Sequence, residues 1–180
     1  MLEIGVAGCG PAGLAAALFL SRAGHRVRIF ERFEAPRPVG SGIILQPVGM
    51  AALAELGLNA TIQTLGARVD RLFGVSEPSG RVALDVRYDA MGAGWHGLGV
   101  HRAALFETLY AAALAQGIEI VCGVSIAGLD RTGARPLLVD AQARAHGPFD
   151  LVVDALGARS PLVAFLHLAS DSILVTPGAW

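Results

Sequence analysis

Ile4-Gly5-Val6-Ala7-Gly8-Cys9-Gly10-Pro11-Ala12-Gly13-Leu14 is the stretch that decides the fold of this chain. An apolar strand candidate, Leu2 to Ala7, begins almost at the first residue. Gly8, Gly10 and Gly13 then spell G-x-G-x-x-G. Pro11 stands where a helix can open, because the N–H it lacks is one that a first helical turn leaves unpaired anyway. The helix reads from Pro11 to Ala23, with Leu14 and Leu18 on one face and Gly24 placed to stop it. Arg26 to Glu31 is a second strand, with Val27, Ile29 and Glu31 alternating on one side. A strand, helix and strand with tight connections imply two parallel strands joined by a right-handed crossover.

The glycine pattern alone is a weak signal. Here it follows a strand, opens a helix and is answered by an acid, Glu31, 18 residues past Gly13. Gly8 permits the tight turn, Gly10 lets a pyrophosphate approach the backbone, and Gly13 lets the helix pack closely on the sheet. The helix start at Pro11 and Ala12 offers unpaired N–H groups and roughly half a positive charge to phosphates. Glu31 can accept hydrogen bonds from ribose hydroxyls and repels a 2′-phosphate. The pattern implies a dinucleotide and leaves NAD and FAD both open.

Working outward, Arg32 to Leu45 reads as a Pro- and Gly-rich loop, and Val48 to Leu56 as a short helix stopped by Gly57. Asp70 to Ser76 and Arg81 to Tyr88 read as a hairpin. Glu77-Pro78-Ser79-Gly80 forms its type I turn, and Val82, Leu84 and Val86 alternate as in a half-buried strand. Met91 to Gly99 is a glycine-rich loop. Arg102 to Gln116 is a second strong helix, with Leu105, Leu109 and Ala113 on one face and Gly117 as its stop. Strands follow at Ile118 to Cys122, Pro136 to Ala141 and Phe149 to Asp154. Then come a turn at Gly157 to Ser160 and an apolar helix through Leu166. The expected class is α/β: a Rossmann-like parallel sheet of FAD/NAD(P)-binding type, with a β-hairpin inserted.

Composition narrows the partners. Fourteen basic and 15 acidic residues give a net charge of −1, so nothing favours nucleic acid or an anionic membrane surface. Ile4 to Leu20 carries no charge, yet glycines and Pro11 interrupt it and it is short for a span. A cytoplasmic protein without a membrane segment is expected. Hydrophobic residues make up 53% and charged residues 16%, with a mean hydropathy of +0.54. Buried parallel strands explain part of this. An uncovered apolar face, inviting self-association, would explain the rest. Cys9 and Cys122 are far apart in sequence and in no metal-ligand spacing, as expected of free thiols. The five histidines (His25, His96, His101, His146, His167) form no catalytic constellation by spacing. His96 and Trp95 could face a substrate or belong to a surface loop.

Over nearly all its length the chain resembles the FAD-dependent aromatic-ring hydroxylases, the para-hydroxybenzoate hydroxylase-like flavoprotein monooxygenases, in their N-terminal FAD-binding region. Residues 4–14 resemble that family's first phosphate loop. Glu31-Arg32 looks like its Glu-Arg pair, in which the acid holds the adenosine ribose. Gly40-Ser41-Gly42-Ile43-Ile44-Leu45 looks like the stretch that approaches the flavin. His101-Arg102-Ala103-Ala104-Leu105 resembles the helix start whose Arg contacts the flavin's phosphate or ribityl region. Ile126 falls where an apolar residue meets the adenine.

Residues 150–160 resemble the second fingerprint, with Gly157 and Ser160 retained and Leu156 standing where the family has an Asp. Asp154, two residues earlier, would face the other way along a continued strand. The resemblance implies FAD as cofactor, NAD(P)H as electron donor, and oxygen and an aromatic small molecule as substrates. The family's Gly-Asp third fingerprint and its substrate-binding sheet have no counterpart before Trp180. The implied organisation is therefore an FAD-binding domain over 1–180, incomplete at its C-terminal end, without a substrate domain. A flavoprotein reductase or dehydrogenase, a non-catalytic nucleotide-binding module and a plain NAD-binding domain remain the alternatives.

Overall fold

A computed structural model describes residues 1–37 and 40–165. At its centre lies a parallel sheet of β1 (Glu3–Ala7), β2 (Arg26–Phe30), β8 (Glu119–Val121) and β12 (Leu151–Asp154), in the order β12-β1-β2-β8. Helix α1 (Pro11–Arg22) joins β1 to β2, and α4 (Arg102–Ala115) leads into β8. Gly24, at φ +84°, turns the chain out of α1.

Strand alternation assigns each face of this sheet its own core. Ile4, Val6, Val27 and Ile29 point to the helices, where Leu14, Ala17 and Leu18 of α1 meet Leu105, Phe106, Leu109 and Ala113 of α4. Ala7 and Phe30 face the opposite way, into a second cluster with Val124, Ile126, Leu138, Phe149 and Leu162. A Cβ on Gly5 would stand 2.8 Å from the Phe149 ring, so only glycine lets that ring lie on the sheet. This second layer rests on an antiparallel sheet of β9 (Ile126–Asp130), β10 (Leu137–Asp140) and β11 (Ala145–His146). Covered on both faces, the parallel strands are apolar, as their composition requires.

Between β2 and α4 the chain builds a smaller layer. It comprises β3 (Gly42–Leu45), α2 (Pro47–Glu55), α3 (Asn59–Thr64), β4 (Gly66–Val69), the hairpin β5 (Arg71–Ser76) and β6 (Arg81–Arg87), a 3-10 turn at Tyr88–Met91, and β7 (Gly97–His101). Strand β7 is central, antiparallel to β3 and to β4.

Several expectations need correction here. The loops expected at Arg32–Leu45 and Met91–Gly99 end in strands β3 and β7, and α3, β4, β9 and β11 were not foreseen. Some glycines here serve close packing rather than a loop. A Cβ on Gly97 would meet the Tyr88 hydroxyl at 2.9 Å, and one on Gly66 the Leu98 side chain at 2.7 Å. Strand β6 is exposed along its whole length rather than half-buried. The hairpin turn closes one residue wider than a type I turn, with the Gly80 N–H donating to the Ser76 carbonyl at 2.8 Å. The expected helix after Ser160 is a 3-10 segment, Pro161–Phe165, and Leu166 lies outside the described residues. His167 and Trp180 lie outside them too.

Candidate functional site

The turn between β1 and α1 is held from three sides. Gly8, at φ +104°, donates its N–H to the Phe30 carbonyl at 2.9 Å. A Cβ there would stand 2.6 Å from the Ala155 carbonyl oxygen. At Gly13 a Cβ would overlap the Gly8 carbonyl oxygen. Both glycines are therefore demanded by the protein itself. Gly10 is different. It caps α1 at φ −76° and ψ 175°, an extended conformation open to any residue. A Cβ on it would meet nothing within 4 Å. The backbone beside it faces open space, as a diphosphate lying on the loop would need.

Pro11 occupies the first helical position, no side chain caps the N-terminus, and no acid stands in its first turn. Leu14 donates the first helical bond to Gly10 at 2.9 Å, which leaves the Ala12 and Gly13 N–H groups without partners in the helix. Their unbalanced dipole favours an anion.

Glu31 follows directly after β2, which stops at Phe30, and is 9% exposed. One carboxylate oxygen accepts from the Cys9 N–H at 3.1 Å, the other from the Phe33 N–H at 3.0 Å. Each oxygen keeps a second lone pair for another donor. The Glu31 backbone is stitched to the end of β8, its N–H donating to Val121 at 2.8 Å and its carbonyl accepting from Val124 at 2.8 Å. The acid is thus brought to the phosphate turn and fixed there. The tie from Glu31 to Cys9 was not legible in the motif, which specifies spacing and not which backbone N–H a carboxylate reaches.

The cysteines, far apart in sequence, both fall under the influence of Glu31. Burial, then Glu31 and Cys122, push the Cys9 thiol up to about 12. Burial, then Glu31 and Glu34, raise that of Cys122. Both thiols are free and stay protonated near neutrality.

The remaining expected residues are dispersed around this turn. The Arg32 guanidinium lies over the Phe33 ring at 4.7 Å, and Arg37 over the same ring at 4.5 Å. Arg102 opens α4, its N–H donating to Ser41 at 2.9 Å. Its guanidinium packs on Gly40, where a Cβ would stand 2.8 Å from a terminal nitrogen. Beside it, Gly42, Ile43, Ile44, Gly99, Val100 and His101 line an open cleft of about 410 Å³ along the β3–β7 pair. Ile126 is only 5% exposed and sits in the second core cluster.

Gly157 adopts φ +84° at the end of β12. Asp154 shapes that turn. One of its oxygens accepts from the Leu156 N–H at 3.0 Å, the other from the Ser160 hydroxyl at 2.6 Å. Leu156 packs against the second core cluster. The two glycine-bearing segments meet directly, since the Ala155 N–H donates to the Ala7 carbonyl at 2.8 Å.

Among the described residues no cluster of three or more potential metal ligands occurs, and no helix is long and apolar enough to cross a membrane.

A family model described as FAD binding domain matches residues 1–168. The chain is 32% identical over 176 residues to the phenazine 1,6-dicarboxylic acid hydroxylase PhzS of Lysobacter antibioticus, covering 92% of this chain and 42% of that protein. It is 30% identical over 162 residues to the FAD-dependent monooxygenase pytG of Aspergillus terreus, covering 88% and 48%. A solved tetrameric form of 2-methyl-3-hydroxypyridine-5-carboxylic acid oxygenase superposes with a TM-score of 0.74 at 25% identity, covering 89% of this chain and 40% of that one. The chain spans less than half the length of these relatives.

Proposed function

This chain belongs to the FAD-binding domain family, and from that premise we propose that it is the cofactor-holding region of an NAD(P)H-dependent monooxygenase acting on an aromatic compound. The observation that carries the reading is Gly10. Neither backbone conformation nor packing within the protein asks for glycine there, and its bare backbone leaves room for a ligand lying on the turn. The residues fit FAD. The Ala12 and Gly13 N–H groups would receive the diphosphate, and the spare lone pairs of Glu31 the adenosine ribose hydroxyls. Arg32 and Arg102 would add positive charge at the two ends of the dinucleotide. Gly157 would let the second turn approach it, and Ile126 would back the adenine from the core.

When bound, FAD reduced by NAD(P)H would supply the transfer of one oxygen atom of O2 to the aromatic ring, the other leaving as water. The chain's own part is to bind, orient and shield. Similarity to proteins named for phenazine and hydroxypyridine carboxylic acids supports a nitrogen-containing or hydroxylated aromatic substrate. We place the protein in the cytoplasm, where its free thiols are compatible with a reducing medium, and take residues 1–180 as FAD-binding domain. Self-association would run through the exposed apolar face of the β5–β6 hairpin.

One observation favours a second reading, a nucleotide-binding module without hydroxylase activity. Leu156 cannot accept the hydrogen bonds that an acid at that position would, and it turns toward the core. Titration of the purified chain with FAD, followed by flavin fluorescence and with NAD as control, tests the reading. Saturable binding at micromolar concentration or tighter, about −8 kcal/mol, is expected. A folded chain that binds NAD and not FAD would overturn it.

A further inference from the structure

The loop that leads into β7 carries a second pocket, set apart from the phosphate turn. Gly92 and Gly94 adopt φ +131° and +90°. The Gly92 N–H donates to Asp89 at 3.0 Å and the Trp95 N–H to Gly92 at 3.4 Å, so the loop has a defined path. It lays the Trp95 indole against the Gly92 backbone, where a Cβ would stand 3.3 Å from the ring. Tyr88, buried beneath, donates its hydroxyl to Gln46 at 2.8 Å and ties the loop to the start of α2.

Pro47, Met50, Ala93, Gly94, Trp95 and His96 line an open cleft of about 350 Å³, the size of a small-ligand site. Trp95 remains 48% exposed. His96 supplies a polar group with a defined sense. Its Nδ1 lies 2.9 Å from the Gly94 carbonyl. A carbonyl only accepts, so Nδ1 carries the hydrogen, and in the neutral ring Nε2 is left as an acceptor. The register Leu45↔Leu98 puts Pro47 and His96 two residues beyond the same strand pair that lines the open cleft.

We propose that this pocket is a subsite for a hydroxylated aromatic ring, with the ring face against Trp95 and its hydroxyl donating to His96 Nε2. The assignment rests on the reading of the chain as part of an enzyme for aromatic compounds and names where such a compound is held. A planar ring finds an indole, a proline and a thioether as walls. Nε2 favours ligands that bring a donor, because an ether covering it supplies none.

The test uses the whole chain and two probes, 2-naphthol and 2-methoxynaphthalene, in which a methyl group replaces the hydroxyl hydrogen and removes the donor. Binding is read from the Trp95 indole N–H signal in 1H–15N spectra, assigned with Trp95→Phe. Naphthol is expected to shift that signal and to bind roughly tenfold tighter than its ether. His96→Ala should erase the preference while the ether binds as before, and Trp95→Ala should weaken both probes. Equal affinity for the two probes in the unaltered chain, or a preference that survives His96→Ala, would overturn the proposal without appeal to any variant's folding. FAD titrated into the same samples separates the two readings. FAD bound with naphthol ignored sinks the subsite alone, and naphthol bound with FAD ignored sinks the cofactor assignment alone.

Discussion

Three glycines of one motif do three different things, and substitution can tell them apart. Gly13→Ala forces a methyl group into the Gly8 carbonyl, and overpacking of this kind costs about 1–3 kcal/mol. A lower melting temperature and lost FAD binding are expected together. Gly10→Ala meets nothing and keeps an extended backbone. Its thermal midpoint should hold or rise slightly, since alanine restricts the unfolded chain. FAD affinity should fall at least tenfold, about 1.4 kcal/mol. Calorimetry beside a flavin titration reads both quantities, and an unchanged affinity in Gly10→Ala would remove the ligand from that turn. Gly8 and Gly13 were legible because backbone geometry and packing demand them, and Gly10 because its spacing completes the pattern of a phosphate turn. Ile126 and Arg102 enter the candidate site only through resemblance, since a buried isoleucine and a helix-opening arginine look ordinary in any sequence.

Among the elements, the small antiparallel sheet β9–β10–β11 is pinned by Asp140, only 2% exposed. Burial alone would raise its carboxyl. Hydrogen bonds from the His146 ring at 2.9 Å, the Arg144 N–H at 2.9 Å and guanidinium at 2.7 Å, and the Gln142 N–H at 2.9 Å outweigh burial and hold it below the usual carboxylate range. A carboxyl depressed in the folded state stabilises fully above its unfolded value near 4 and loses that contribution as pH falls toward its folded value. Denaturant midpoints taken from pH 7 to pH 3 should therefore decline. In Asp140→Asn they should start lower and decline less. An identical acid slope in both proteins would show that Asp140 is not the group responsible. The elements most legible in sequence were those whose apolar periodicity comes from burial on one side of a helix, α1 and α4, or in a strand covered twice, β1 and β2. Strands β4 and β7 escaped because Gly66 and Gly97, selected by neighbouring Leu98 and Tyr88, imitate loop composition.

For the molecule as a whole, the high mean hydropathy has a visible location. On one face of the hairpin Leu72, Leu84 and Val86 lie together by register, and past a register shift Val75 pairs with Val82, with Val82 at 59% and Leu84 at 47% exposure. Charges lie on the other face, where Arg71 pairs with Asp85 at 2.6 Å. Concentration-dependent self-association is expected from sedimentation velocity. Val82→Lys with Leu84→Glu should abolish it without moving the melting temperature by more than a few degrees, because neither side chain belongs to either core cluster. The sheet order carries a consequence for biosynthesis. Strand β1, made before the other described strands, lies between β2 and β12, and β12 is the last of the described strands to be made. Until residues 151–154 emerge, the nascent polypeptide displays one side of β1 as an unpaired edge, the kind of edge that recruits other strands. It also lacks the Ala155 carbonyl that backs the Gly8 turn. Translation must therefore pass almost the whole described length before the nucleotide can find a finished cradle, and that interval is the one in which a chaperone would be of most use.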